Sequence, residues 1–285
     1  MRKLSAPTDK FGVSLTAGSV FNTCIDSIKD KALKARLSKI NIDVSYAEAE
    51  YERLASAENL HLFPCAALIG ACTKQELNKV YTNQMVRQGK PGRIIYDRIL
   101  NSSPLKICPL CGVGPVRTLD HHLPKAHFPV LSVAPGNLVP ACDWCQGKKR
   151  DSYPTTKEEQ TIHPYFDDFS SCQWLVADVV EGSPAAFQFY VSGSTTLSPI
   201  AKSRLSTHLS AFGLEQLFSI NAASELVGIQ FLLTKLHDLG GETAVRTYLS
   251  ECYKSRSNAH VNAWQTAMYA AAAENDWFCN GGFGA

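Results

Sequence analysis

Apolar residues recur at helical spacing in the first and the last parts of the chain. Over Ser19–Ser38 they alternate with Lys and Asp at intervals of three or four positions, which predicts an amphipathic helix. Asp43 or Ser45 is expected to cap a second helix, and Thr73–Glu76 has the sequence of a capping box ahead of a third. From Ser203 onward the pattern is helical again until a glycine-rich tail. Both ends of the chain are therefore predicted to be mainly helical.

Segments with strand and turn character interrupt this pattern. Gln173–Val180 and Ala186–Val191 flank the turn sequence Glu181–Pro184, which predicts a β-hairpin. Gly89–Gly92 is expected to end the third helix as a loop. The longest apolar run, Leu60–Cys72, is shorter than the roughly 20 residues that cross a bilayer. It is therefore predicted to be a buried helix, and no membrane-spanning segment is expected.

The composition narrows the class of protein without identifying it. The 285 residues are 45% hydrophobic, which excludes wholesale disorder and allows one large domain or two small ones. The formal net charge of +2 argues against a general coat for nucleic acid but leaves room for a local basic patch. No apolar stretch follows the basic N-terminal residues, so no signal peptide is expected and the predicted location is the cytoplasm.

Cysteine is the residue type whose placement changes the picture most. Six of the ten cysteines are scattered and are interpreted as core residues, while four form two C-x-x-C pairs, Cys108/Cys111 and Cys142/Cys145. In a reducing compartment paired thiols favour metal over disulfide, and four thiolates suit a tetrahedral Zn²⁺ with no open position. The sequence therefore predicts a structural zinc site, with an insert between the pairs that is longer than in a simple zinc ribbon.

The insert between the cysteine pairs is rich in His and Asp. Arg117–His121 and Gly136–Pro140 are predicted to be short strands, and Asp143–Arg150 a helix that begins at the second pair. The first strand of such a ββα unit would end in Asp120 and His121. A carboxylate can bind a hard cation and a neutral imidazole can accept a proton near neutral pH, so these two residues suit metal-assisted hydrolysis.

This segment resembles the HNH, or His-Me finger, endonuclease family. The resemblance rests on D-H-x-x-P at Asp120–Pro124, N-L-V-P at Asn137–Pro140 and C-x-x-C-Q-x-x-K at Cys142–Lys149. It implies an α+β fold in which a zinc-stapled ββα-metal finger, at 101–170, lies between a helical region at 1–100 and a hairpin plus helical region at 171–285. It also implies hydrolysis of phosphodiester bonds in DNA, with Mg²⁺ or Mn²⁺ as the catalytic cofactor.

The resemblance also implies roles for individual residues. Asp120 would ligate the metal, His121 would be the general base, Asn137 would orient His121, and Gln146 stands at the position of the second ligand. The family usually has Asn or His at that position, so the longer Gln146 implies a looser site or one that acts through water. The doublet His121-His122 allows a second register with His121 as ligand and His122 as base, but the distance to the following proline favours the first.

Three further segments supply candidate contacts. Lys148, Lys149 and Arg150 lie on the predicted finger helix and are expected to grip a nucleic-acid backbone, the alternative being a solvated helix end. A basic cluster at 87–98 is predicted to be a loop that either carries DNA or is only solvated. His163 opens the sequence HPYFDD, which either adds a metal or phosphate contact or forms a turn packed by its aromatic residues.

A looser resemblance concerns the flanks of the finger. The sequences L-D-H-H-L-P-K, H-P-Y-F-D and N-A-W are similar to those of the Septu-type HNH nuclease subunit of bacterial antiphage defence, which implies an ATPase partner bound by the helical regions. Two alternatives stay open: the same chemistry on RNA, and a non-catalytic zinc module that binds nucleic acid or protein. The combination of Asp120, His121 and Asn137 discriminates against the zinc module, which does not need it.

Overall fold

The computed structural model describes residues 2–65, 68–193 and 196–284. The chain divides into two compact units, one of Arg2–Asp167 and one that starts at Asp168. Within the described residues, helices are combined with three two-stranded antiparallel sheets, so the predicted α+β class is confirmed at that level. The division at 100 and 170 stays a prediction, although the helical region and the cysteine-rich region before 167 lie within one compact unit.

The first part of the first unit is helical. Its elements are α1 (Ala17–Asp26), α2 (Lys31–Lys39), α3 (Asn41–Ser56), β1 (Leu68–Ile69), β2 (Cys72–Thr73), α4 (Lys74–Val80) and α5 (Pro91–Leu100). A six-residue π-helical segment, Tyr81–Val86, continues α4. The capping box at the start of α4 is confirmed, because Thr73 Oγ1 accepts from the Glu76 amide while the Glu76 carboxylate accepts from the Thr73 amide.

Two helix boundaries differ from the prediction. The single helix predicted over Ser19–Ser38 is wrong, because Asp30 accepts from two backbone amides at 3.0 Å and starts a new helix, α2. Asp43 and Ser45 are not caps either, because both lie inside α3. Ile40 follows the last residue of α2 and immediately precedes α3, so α3 begins without a side-chain cap.

The prediction of a buried helix over Leu60–Cys72 is wrong for the residues described. Leu60–Leu62 is a single 3₁₀ turn, and β1 and β2 then form a short antiparallel pair. Pro64 cannot continue a helix, and Gly70 has a φ of 55°, which favours glycine. Residues 66 and 67 lie outside the described residues.

The cysteine-rich part of the first unit contains the predicted strands and helix. Strand β3 (Thr118–His121) pairs antiparallel with β4 (Leu138–Ala141), and α6 (Asp143–Lys149) follows. The register places Asp120 opposite Val139 and His121 opposite Leu138. Leu119 of β3 and Leu138 of β4 are fully buried and belong to the same apolar cluster as the helices α1, α3 and α5. The hairpin therefore packs on the helical part.

The second unit contains a hairpin and helices. Strands β5 (Leu175–Val180) and β6 (Ala186–Val191) pair antiparallel, which confirms the predicted hairpin. The helices are α7 (Pro199–Ala211), α8 (Leu214–Ala259), α9 (Trp264–Glu274) and α10 (Asp276–Cys279). Asn262, from the sequence N-A-W, fixes the start of the hairpin: its Oδ1 accepts from the amides of Trp174 and Leu175, and its Nδ2 donates to two carbonyls.

Helix α8 bears on the expectation that the chain has no membrane-spanning segment. It is broken at Gly240 and Gly241, where the backbone is not helical. An 18-residue window within it has a mean hydropathy of 1.4, and 22% of that window is buried. By length and composition alone α8 could span a bilayer, so the expectation of no membrane-spanning segment stays a prediction. One such helix is weak evidence for a membrane.

A buried carboxyl in the helical part gives a test of this packing. Glu48 is 8% exposed, and its Oε2 accepts from the Ala17 amide at 2.7 Å, while its Oε1 has no hydrogen-bond partner among the described residues. Burial, with a contribution from Glu52, raises the pKa of Glu48 to about 7. The unfolded chain loses this proton near pH 4.5, so the stability falls as the pH rises from about 4.5 to about 7.

We expect Glu48→Gln to remove this loss of stability. Its free energy of unfolding in urea should exceed that of the native chain by about 1–3 kcal/mol at pH 8 and match it near pH 4. The control is Glu50→Gln, which changes a solvent-screened surface carboxyl on the same helix and should leave the stability close to the native value at both pH values. Equal stabilities of Glu48→Gln and the native chain at both pH values would contradict this account.

Candidate functional site

Four buried cysteines come together at the base of α6. Ligand atoms of Cys108, Cys111, Cys142 and Cys145 all lie within 4.8 Å of one another, and the Sγ atoms of Cys111 and Cys142 are 3.7 Å apart. A tetrahedral zinc with Zn–S bonds of about 2.3 Å separates its sulfurs by about 3.8 Å. The geometry therefore fits a structural zinc ion, as the two C-x-x-C pairs predicted.

The backbone around the cluster is shaped for thiolates. The amides of Val113 and Gly114 point at Cys111 Sγ, at 3.4 and 3.5 Å. The neighbouring thiols, and to a smaller extent the Gly114 amide, lower the pKa of Cys111, which favours the charge state that binds a metal. A Cβ at Gly114 would lie 2.8 Å from Cys142 Cβ, so only glycine fits against the second pair.

A pocket of about 480 Å³ opens where β3 ends. Asp120 and His121 line it from the strand, and Gln146 lines it from α6. Strand β3 carries Asp120 and His121 to the pocket, and the turn at Cys142 starts α6 so that Gln146 reaches the same space. These three residues, which the sequence singled out, are therefore brought together.

His121 has a fixed orientation in this pocket. Its Nε2 lies 2.8 Å from the Ser132 carbonyl, and because a carbonyl only accepts, Nε2 carries the proton. In the neutral ring the lone pair is then on Nδ1. Burial lowers the pKa of His121 to about 3, so the ring is neutral at physiological pH. The Tyr81 ring packs against the imidazole in a T-shaped arrangement, with centroids 4.5 Å apart.

The hydrogen bonds of the Asn137 side chain that the structure shows go to the backbone and not to the His121 ring. The Asn137 side chain is fully buried and spans the loop that follows β3, donating to Leu123 O and Leu131 O and accepting from the Leu123 amide at 2.7 Å. Its carbonyl also accepts from the His122 amide at 2.8 Å. Asn137 therefore holds both ends of the loop that carries Ser132, the hydrogen-bond partner of His121.

Asp120 has a buried cation beside it. Lys149 Nζ is 3.7 Å from Asp120 Oδ2 and donates to the His121 carbonyl at 2.8 Å. Burial raises the pKa of Asp120 and lowers the pKa of Lys149, while their mutual attraction opposes both shifts. At 3.7 Å the contact is ionic rather than a hydrogen bond, so the carbonyl is the stronger partner of Lys149.

The three basic residues at the end of α6, Lys148, Lys149 and Arg150, do not form one charged surface. Lys149 is 4% exposed and points inward, so its predicted role as a surface grip on nucleic acid is corrected. The helix turns Lys148 to the surface, where its ammonium lies over the Trp144 ring, and Arg150 is exposed and lines the pocket. Arg150 has φ 51° and ψ −121°, a strained conformation for a residue with a side chain.

The additional histidines lie away from the pocket. His122 and His163 are both buried and pack against each other, with ring centroids 4.1 Å apart. His163 Nδ1 accepts from the Tyr165 amide, and its Nε2 is 2.8 Å from the Tyr51 hydroxyl. The segment HPYFDD thus forms a packed turn, in which Asp167 accepts from the His163 amide.

The predicted basic loop at 87–98 is wrong for most of its length. Pro91 starts α5, so Arg93 and Arg98 are helical. Arg93 forms a salt bridge with Asp97 and donates to the Val86 carbonyl, so its guanidinium is already paired within the protein.

Sequence reasoning missed the two tyrosines of the pocket. Tyr81 and Tyr96 line it, and they come from the π-helical segment and from α5. Nothing local marked them, because the residue of β3 that they contact is more than 20 positions away in sequence.

The fold and the cysteine cluster define an α+β protein with a buried four-thiol site that could bind zinc. The chain belongs to the family of the protein ea31 of Escherichia phage lambda, to which it is 31% identical over 255 residues, covering 82% of this chain and 86% of the relative. No protein-family model matches the chain. No solved structure matches it either.

Cys142→Ser tests the zinc site. It should remove stoichiometric zinc, measured by elemental analysis of the purified protein, and lower the midpoint of thermal unfolding because a closed structural zinc contributes folding energy. Cys65→Ser is the control: Cys65 is exposed and outside the cluster, so zinc content and midpoint should not change. Full zinc content in Cys142→Ser would exclude the four-thiol site.

Proposed function

We propose that this protein is a metal-dependent HNH endonuclease that hydrolyses phosphodiester bonds in DNA. The observation that carries the proposal is the convergence of Asp120, His121 and Gln146 on one pocket beside a four-cysteine cluster. The strand–strand–helix order of β3, β4 and α6 agrees with the ββα-metal finger that the sequence resemblance implies.

The proposed catalytic cation is Mg²⁺ or Mn²⁺, which would neutralise charge that develops on the phosphate. Asp120 and Gln146 would hold it, since both offer oxygen atoms to the same pocket and hard cations prefer oxygen ligands. Burial raises the pKa of Asp120, and Lys149 opposes this shift by favouring the ionised form, which is the form that ligates.

His121 would act as the general base. Its hydrogen bond to Ser132 leaves Nδ1 as the proton acceptor, and its burial keeps the ring neutral. An approaching phosphodiester anion would strengthen this base by favouring the protonated ring. The alternative register, with His122 as base, is disfavoured because His122 packs on His163 and does not line the pocket.

The charge at the pocket rim fits an anionic polymer. Lys125 and Arg150 line the opening, and Lys148 lies at the surface near the end of the same helix. RNA remains the second candidate substrate, because phosphate contacts of this kind do not distinguish the two nucleic acids. A non-catalytic zinc module is the third candidate, and it gives no reason for Asp120 and His121 to share a pocket.

The biological setting is part of the proposal and rests on the sequence resemblance alone. We propose an effector of antiphage defence that acts in the cytoplasm with an ATPase partner bound to the helical regions. Co-purification of the tagged chain with the product of a neighbouring gene tests this part separately from the chemistry.

His121→Ala tests the proposed base. We expect plasmid cleavage with Mg²⁺ or Mn²⁺ to fall by about 10²–10⁴-fold, because no other group in the pocket replaces the imidazole. Zinc content should be retained. His127→Ala is the matched control, since His127 contacts Tyr153 and does not line the pocket, and it should cleave normally. Cleavage by His121→Ala at the native rate would rule out the assignment.

Arg150→Gly separates strain from charge. Glycine accepts the backbone angles of Arg150, so this variant should be about 1 kcal/mol more stable in urea and should bind DNA more weakly, with a smaller salt dependence. Arg150→Ala, the control, loses the same charge and keeps the strain, so it should bind as weakly without becoming more stable. Native DNA affinity in both variants would show that Arg150 does not contact DNA.

A further inference from the structure

Strand β3 has a free edge that no strand covers in the described part of the chain. It pairs with β4 on one side only, and the residue opposite Leu119 is Pro140. Leu119 therefore turns its amide and carbonyl away from β4. Buried backbone groups without partners cost free energy, so the free edge needs other partners.

Three buried side chains supply these partners. The Leu119 amide donates to the Tyr96 hydroxyl at 3.3 Å, and the Tyr81 hydroxyl donates to the Leu119 carbonyl at 3.1 Å. The Lys149 ammonium donates to the His121 carbonyl at 2.8 Å. The three side chains are 4–7% exposed, so water does not compete for these bonds.

We propose that Tyr81, Tyr96 and Lys149 are positioning residues that take the place of a third strand and hold Asp120 and His121 in their places. The consequence for catalysis rests on the proposed nuclease function, whereas the consequence for the strand does not. The two tyrosines come from the π-helical segment and α5, so the helical region of the chain builds one side of the site rather than serving only as a partner surface.

The geometry explains why such support is needed at this place. A two-stranded pair is marginally stable by itself, and each proposed functional residue on β3 is within two positions of Leu119. The rings of Tyr81 and His121 also pack in a T-shaped pair, so Tyr81 contacts both the backbone of β3 and the imidazole. Small displacements at reacting groups reduce turnover strongly.

The test removes single hydroxyls and keeps the rings. In Tyr96→Phe the Leu119 amide loses its acceptor, and its hydrogen exchange, measured by NMR, should become at least about tenfold faster. In Tyr96→Phe and in Tyr81→Phe, kcat for plasmid cleavage with Mg²⁺ should fall by about 10–100-fold with KM unchanged. Zinc content should be unchanged in both.

Tyr165→Phe is the matched control. Its hydroxyl donates to the Leu138 carbonyl at 2.9 Å, so the variant removes the same kind of bond from β4 instead of β3. Exchange at Leu119 and kcat should both stay at native values. An equal loss of kcat in Tyr165→Phe, or unchanged Leu119 exchange in Tyr96→Phe, would overturn the proposal. If the native chain does not cleave DNA, the proposed function fails and the exchange measurement still decides the positioning role.

Discussion

A two-stranded sheet as short as the β3–β4 pair is not stable alone in water, and this constraint organises the first unit of the protein. The β3–β4 pair is therefore stabilised by contacts with other parts of the first unit. Its inner faces join the apolar cluster of the N-terminal helices, and the four-cysteine cluster ties the loop before β3 to the start of α6. Tyrosine hydroxyls bond the outer backbone groups of Leu119.

The sequence predicted the parts of this arrangement that depend on neighbours in the chain. The capping box at Thr73, the hairpin of the second unit and the two C-x-x-C pairs have local signals, and the structure shows all of them. The break at Asp30 was missed because helical spacing continues across it. The turn and strands after Leu60 were missed because a long apolar run was interpreted as a buried helix, although it contains Pro64 and Gly70. The tyrosines at the pocket were missed for a different reason, since only tertiary contact makes them part of it.

Lys149 shows how position on a helix overrides residue type. Three consecutive basic residues suggest one charged surface, but successive residues on a helix point about 100° apart. Lys149 is thereby turned into the fold beside Asp120, while Lys148 remains outside. Arg150 reaches the pocket because the helix has ended and its backbone takes up a strained conformation.

The placement of Lys149 also bears on how a cation would enter the pocket. If the ammonium depended on Asp120 for its main bond, a cation that took the carboxylate would leave a buried charge without a partner. The shorter contact of Lys149 is to the His121 carbonyl, at 2.8 Å against 3.7 Å to the carboxylate. Asp120 can therefore turn toward a cation while Lys149 stays bonded to the strand. Lys149 can therefore support β3 and also balance the charge of Asp120, because its hydrogen bond is to the backbone and its contact with the carboxylate is only ionic.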